Sequence, residues 1–133
     1  MIATTVKAIN GLQVDWSPDG ERFAFTDVDN TSTRPDMLCT MNADGTELRR
    51  IARYAYDAKW SPDGTQILCS QMGTLVVLDP KEDYVADDRK INPLHSSVDH
   101  FAWSPNGRAI AFADDRNLYL INPADASKKH LAT

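Results

Sequence analysis

The sequence predicts an all-β chain built from three similar four-stranded units. A repeat carries the prediction first. Trp16-Ser17-Pro18-Asp19-Gly20 returns as Trp60-Ser61-Pro62-Asp63-Gly64 and again as Trp103-Ser104-Pro105-Asn106-Gly107. The tryptophans recur at a period in the low forties, the length of one four-stranded propeller blade. The second observation is the character of the segments between repeats. They are short, β-branched or aromatic, and bounded by Gly, Pro, Asn and Asp. The third is negative: no segment carries a 3.6-residue apolar stripe, so essentially no helix is expected.

Each unit reads the same way in chain order. The innermost strand enters through Leu12-Gln13, Tyr56-Asp57 or Asp99-His100 and ends at the Trp. Ser-Pro-Asp-Gly then suits a tight hairpin. Proline presets φ near −65°, Asp or Asn tolerates the next position, and Gly accepts positive φ at the exit. The second strand carries Phe23 and Phe25, Ile67 and Cys69, or Ile110 and Phe112. The third is Leu38 to Asn42, Leu75 to Asp79, or Leu118 to Asn122. Short basic-apolar pieces close the units at Leu48 to Ile51, Arg89 to Ile91 and Lys128 to Leu131. Second and third strands are apolar on both faces, which requires cover on both sides. The expected blades are 10–52, 53–94 and 95–133, preceded by an extra strand within 1–9 (Thr4 to Ile9).

These three Trp-Ser-Pro-Asp/Asn-Gly units, with the Asn42-Ala43-Asp44-Gly45-Thr46 turn, closely resemble the TolB-type, WD-like β-propeller repeat over nearly the whole chain. The resemblance implies a six-bladed ring. Closed propellers have about 4–8 blades, and this chain encodes three. An open arc would expose large apolar side chains at each end, at about 1.5–3 kcal/mol apiece. The expectation is therefore a homodimer, 3 + 3 blades, in which the first blade meets the partner's third blade twice under two-fold symmetry. A trimer of nine blades lies outside the usual range, and a piece of a longer propeller is the remaining alternative. The extra N-terminal strand is a candidate lock on the partner's third blade.

Composition narrows the function. Lys plus Arg is 14 against 19 Asp plus Glu, a net charge of −5, so nucleic acid is an unsuitable partner. No apolar run reaches the ~20 residues of a membrane span. No continuous apolar stretch follows Lys7, and Cys39 and Cys69 occupy apolar strand positions as reduced core thiols. The expected location is the cytoplasm, or the periplasm if a leader has been removed. The TolB resemblance implies the periplasm, and the free thiols depart from it.

Residues that recur in every repeat are read as structural: Trp16, Asp19, Gly20, Trp60, Asp63, Gly64, Trp103, Asn106 and Gly107. Residues that differ between repeats are the better binding candidates. At the channel mouth these are Gln13, Tyr56, Asp57, Asp99 and His100. Ser97, Asp99 and His100 are too close in sequence to form a nucleophile–base–orienter triad, and no Gly-x-Ser-x-Gly elbow is present. The resemblance extends to propeller lyases that hold a metal by channel histidines, but of His95, His100 and His130 only His100 falls near a channel position. Asp27-Val28-Asp29-Asn30 opens like a calcium loop, yet Ser32 and Leu38 stand where such a loop needs Gly and Glu. No metal and no cofactor is assigned. Two lengthened loops, Asp27 to Asp36 and Lys81 to Arg89, are further contact surfaces.

The leading function is a non-enzymatic binding scaffold assembled by self-association, for a protein, peptide or small ligand. The alternative is an enzyme with a metal-assisted site at the mouth, a lyase or hydrolase using His100 and Asp99. A fragment of a larger propeller, such as a peptidase gating domain, is the third reading.

Overall fold

A computed structural model describes residues 11–28, 31, 33–81 and 92–133. These residues form twelve strands in three antiparallel four-stranded sheets. The first sheet holds β1 (Gly11–Trp16), β2 (Arg22–Asp27), β3 (Met37–Asn42) and β4 (Arg49–Arg53). The second holds β5 (Ala55–Trp60), β6 (Ile67–Gln71), β7 (Thr74–Leu78) and β8 (Asn92–Ser96). The third holds β9 (His100–Trp103), β10 (Ile110–Asp114), β11 (Asn117–Ile121) and β12 (Lys128–Ala132). No helix occurs among the described residues, so none is long and apolar enough to cross a membrane. The expected extra strand at Thr4 to Ile9, and the loop from Lys81 to Arg89 beyond its first residue, lie outside the described residues.

The β1–β2, β5–β6 and β9–β10 hairpins are made by one hydrogen-bond pattern used three times. The amide of Gly20 donates to the Ser17 carbonyl, Gly64 to Ser61 and Gly107 to Ser104, each at 2.9 Å. The Ser17 hydroxyl donates to Asp19 at 2.6 Å, and the Glu21 amide donates to the same carboxylate oxygen at 3.0 Å. Ser61, Asp63 and Thr65 repeat this, as do Ser104, Asn106 and Arg108. The glycines stand at φ +72°, +74° and +72°, a conformation that strains a side chain.

The sheets stack face to face, and strand alternation decides which residues meet. Ala24 and Leu38 of the first sheet pack against Trp60, Ile67, Cys69 and Val76 of the second. The other side of the second sheet, Leu68, Leu75 and Val77, packs against Phe101, Ile110, Phe112 and Ile121 of the third. The opposite face of the first sheet carries a further cluster of Phe25, Met37, Cys39 and Met41. Both thiols are buried and free. Burial pushes the Cys39 thiol up to about 11, and Cys69 higher still.

The closing strand of the second sheet is β8, with Thr74 paired to Ser96 and Leu75 to His95. The basic-apolar piece expected at Arg89 to Ile91 lies outside the described residues.

Candidate functional site

The first strand of each sheet faces the first strand of the next. The indole Nε1–H of Trp60 donates to the Asp15 carbonyl at 3.2 Å, and that of Trp103 to the Lys59 carbonyl at 3.0 Å. The Asp15 carboxylate also accepts from the Trp60 amide at 2.9 Å. These bonds tie β1 to β5 and β5 to β9 as the inner rank of the arc. The mouth candidates sit at the start of that rank.

Gln13 and Asp57 come together: the Asp57 amide donates to Gln13 Oε1 at 2.8 Å. Both have positive φ, 59° and 60°, and both sit where the β1–β2 and β5–β6 ladders slip register. Non-glycine residues held in this region cost about 1–3 kcal/mol each. The Asp57 carboxylate lies 3.5 Å from Lys59 Nζ on the same strand.

The third sheet has no such slip. His100 pairs with Ala113, and the ladder runs on regularly to Trp103 and Ile110. Measured from the ladder, His100 corresponds to Leu12 and Tyr56, not to Gln13 and Asp57. The third repeat is one residue shorter because it lacks the bulge. His100 and Asp99 are exposed, and the Asp99 amide donates to the Ala113 carbonyl at 2.9 Å.

Tyr56 is held from the neighbouring loop. Its hydroxyl donates to Asp36 Oδ2 at 2.5 Å. Burial, and then the accepting carboxylate, push the phenol up to about 12. Asp36 ends the lengthened loop after β2, and no local pattern in the sequence connects it to Tyr56, twenty residues away.

A second polar group lies away from the mouth, between the second and third sheets. His95 Nε2 is 2.8 Å from Asp114 Oδ2, with both side chains 17% exposed. Lys128 Nζ stands 3.1 Å from the other ring nitrogen, and Asn117 donates to Asp114 at 3.1 Å. The His95 ring rests on Phe112 and Tyr119, with centroids 4.6 and 5.3 Å away. The His95 and Asn117 hydrogen bonds hold the Asp114 carboxyl below its ordinary range. This cluster joins an outer strand of one sheet to the next and serves as a clamp.

The three histidines are therefore dispersed. His100 is on an inner strand, while His95 and His130 are on the closing strands β8 and β12. No group of three or more His, Cys, Asp or Glu able to hold a metal ion occurs among the described residues. The donor set does not fit a channel-histidine metal centre. A cleft of about 370 Å³ opens at the hairpin end of the first seam, lined by Ser17, Pro18, Arg22, Trp60 and Asp63 among others. There Arg22 lies over the Trp60 ring, 5.8 Å from its centroid, and donates to Thr40 at 2.7 Å.

No protein-family model matches the chain, and no curated protein does. Solved structures do. A TolB-like protein from Agrobacterium tumefaciens superposes with a TM-score of 0.66 at 18% identity, over 94% of this chain and 50% of that one. An oligogalacturonate lyase in complex with manganese gives 0.57 at 16% identity, over 84% of this chain and 33% of the lyase. The oligogalacturonate lyase of Vibrio parahaemolyticus gives 0.57 at 16%, over 85% and 34%. The chain spans a third to a half of these proteins. At such identities the likeness concerns the fold, and the fold is that of a partial β-propeller.

Proposed function

We propose that this chain is half of a propeller: a non-enzymatic binding scaffold that self-associates, 3 + 3, into a six-bladed ring. One comparison among repeat-equivalent positions carries the reading. Leu38 and Leu75 are fully buried, because a further sheet covers each. Leu118, at the same position in the third repeat, is 42% exposed, and Leu131 near it on the sheet is 44% exposed. A leucine in this register is a packing residue that calls for another blade. The half share of the TolB-like chain supports two copies as the number that closes the arc.

In such a ring the mouth carries Tyr56, Asp57, Asp99 and His100 twice, with Gln13 spent on the Asp57 amide. Exposed acidic and imidazole groups on a rigid rank of strands suit a protein or peptide ligand with basic and hydrogen-bonding side chains. Buried free thiols suit a reducing compartment, and we assign the assembly to the cytoplasm. Light scattering on the purified chain at micromolar concentration tests the reading. The expected mass is that of two 14.8 kDa chains, and the mass of one chain overturns it.

A further inference from the structure

We infer that the ring closes through one defined socket, in which Trp16 of one copy enters the open face of the third sheet of a second copy. The inference rests on the self-association reading and specifies its contact. It comes from the two seams already present, which use the same parts. At each seam the Trp indole of the following sheet donates to the backbone carbonyl just before the preceding Trp: Trp60 to Asp15, and Trp103 to Lys59. At each seam the turn glycine of the following sheet receives the turn proline of the preceding one. A Cβ on Gly64 would stand 3.7 Å from Pro18 Cδ, and a Cβ on Gly107 would stand 3.5 Å from Pro62 Cδ.

The same parts at the two ends of the arc are unused. Trp16 is 56% exposed, against 7% for Trp60. A Cβ on Gly20 would meet nothing within 4 Å. At the other end, Ala102 and Pro105 hold the positions of Lys59 and Pro62 and are exposed. The repeat therefore names the missing contacts. Trp16 Nε1–H donates to the Ala102 carbonyl of the second copy, and that copy's Pro105 seats on Gly20.

The receiving surface has room for the ring. In the first seam Trp60 lies against Arg22, which bonds Thr40. The corresponding residues of the third repeat are Ala109 and Leu120, and they line an open cleft of about 230 Å³ on the uncovered sheet. A long cation and a hydroxyl in the internal seam are replaced by a methyl and an isobutyl group. Ile121 joins these two apolar residues, and Asn122, Ser127, Lys128 and Lys129 complete the lining, so an indole entering here meets aliphatic surface beside polar and cationic groups. The occupant we commit to is a second copy of this chain, because donor, proline, glycine and cleft are all supplied by one sequence. The contact is head-to-tail, and it closes only if the arc spans half a turn.

Sedimentation velocity over a concentration series tests this on the wild-type chain and three variants. Trp16→Phe keeps a ring and removes the donor, so it should weaken the dimer by about tenfold. Leu118→Asp should give single chains at every concentration tested. Met72→Asp alters a side chain that is 65% exposed on the β6–β7 turn, outside the socket, and should leave the dimer constant unchanged. Because Trp16 and Leu118 are exposed in the single chain, far-UV circular dichroism should show all variants folded. A dimer indifferent to both socket substitutions overturns the socket and leaves self-association standing. A wild-type mass of one chain throughout overturns both, and points to the remainder of a longer propeller as the occupant. A trimer or an open ladder overturns closure by two copies.

Discussion

The Trp60 indole donates its Nε1–H to the Asp15 carbonyl at 3.2 Å while its ring lies beneath the Arg22 guanidinium. One side chain thereby fills the first seam, satisfies a backbone acceptor and meets a cation. Trp60→Phe should lower unfolding free energy by about 1–2 kcal/mol, and Trp60→Ala by about 3–5 kcal/mol. Urea titration followed by circular dichroism reads both. Equal losses would mean that the ring left by phenylalanine contributes nothing and that the indole donor carries the whole effect.

Repeat-equivalent leucines should respond differently to one substitution. Leu38→Ala and Leu75→Ala empty fully buried positions and should each cost about 2–5 kcal/mol. Leu118→Ala removes a partly exposed side chain and should cost well under about 1 kcal/mol in the single chain. Denaturation at the lowest workable protein concentration checks the ranking. A Leu118→Ala loss as large as the other two would mean that this face is already covered.

The hairpin carboxylates should make the fold sensitive to acid. The Ser61 hydroxyl, then the Thr65 hydroxyl and amide, hold Asp63 down to about 2, and Ser17 and the Glu21 amide lower Asp19. An unfolded Asp titrates near about 3.9. Between these values the unfolded chain binds more protons, so stability is present above about pH 4 and is lost as pH falls toward about 2. The third repeat holds Asn106 at this position with the same bonds. Asp19→Asn with Asp63→Asn should therefore keep the turns and flatten melting temperature between about pH 2 and 4. An unchanged slope would show that these turns do not govern acid unfolding.

His95 should matter more than His130. His95 joins β8 to Asp114 and rests on Phe112 and Tyr119, while His130 is exposed. His95→Ala should destabilise by about 1–3 kcal/mol, and His130→Ala by less than about 0.5 kcal/mol. Hydrogen exchange should then show faster opening in β8 and β10 of the His95 variant. Uniform opening across all three sheets would argue against a local clamp.

Cys39 and Cys69, at 1% and 0% exposure and with their thiols shifted upward, should resist an aromatic disulfide reagent at pH 8 in the native state. Both should react when the chain unfolds. Rapid labelling of native Cys69 would contradict the packing of the first two sheets, and rapid labelling of Cys39 the cluster on the opposite face of the first sheet.

The hairpins were legible in the sequence because their bonds span only a few residues. Ser, Asp and Gly at fixed offsets satisfy one another whatever surrounds them, and the same offsets recur three times. Strand faces were legible because alternation follows from backbone geometry. Other features hid from that reasoning. His95 belongs to β8 through its pairing with Leu75, and Tyr56 meets Asp36 twenty residues away. His100 aligned by spacing with Gln13 and Asp57, but the missing bulge sets it beside Leu12 and Tyr56 in the ladder.

The sequence by itself determined how many blades the chain carries, where each turns, and which residues face a neighbour. These are set by local sterics and period. Only the tertiary structure decided which of those neighbours are present. Trp16 and Trp60 begin identical motifs, yet one is 56% exposed and the other 7%, because burial depends on the sheet that arrives from elsewhere. The same reason separates Leu118 from Leu38. Stacking is a relation between sheets, and a repeat can specify both of its surfaces without containing the partner that covers them.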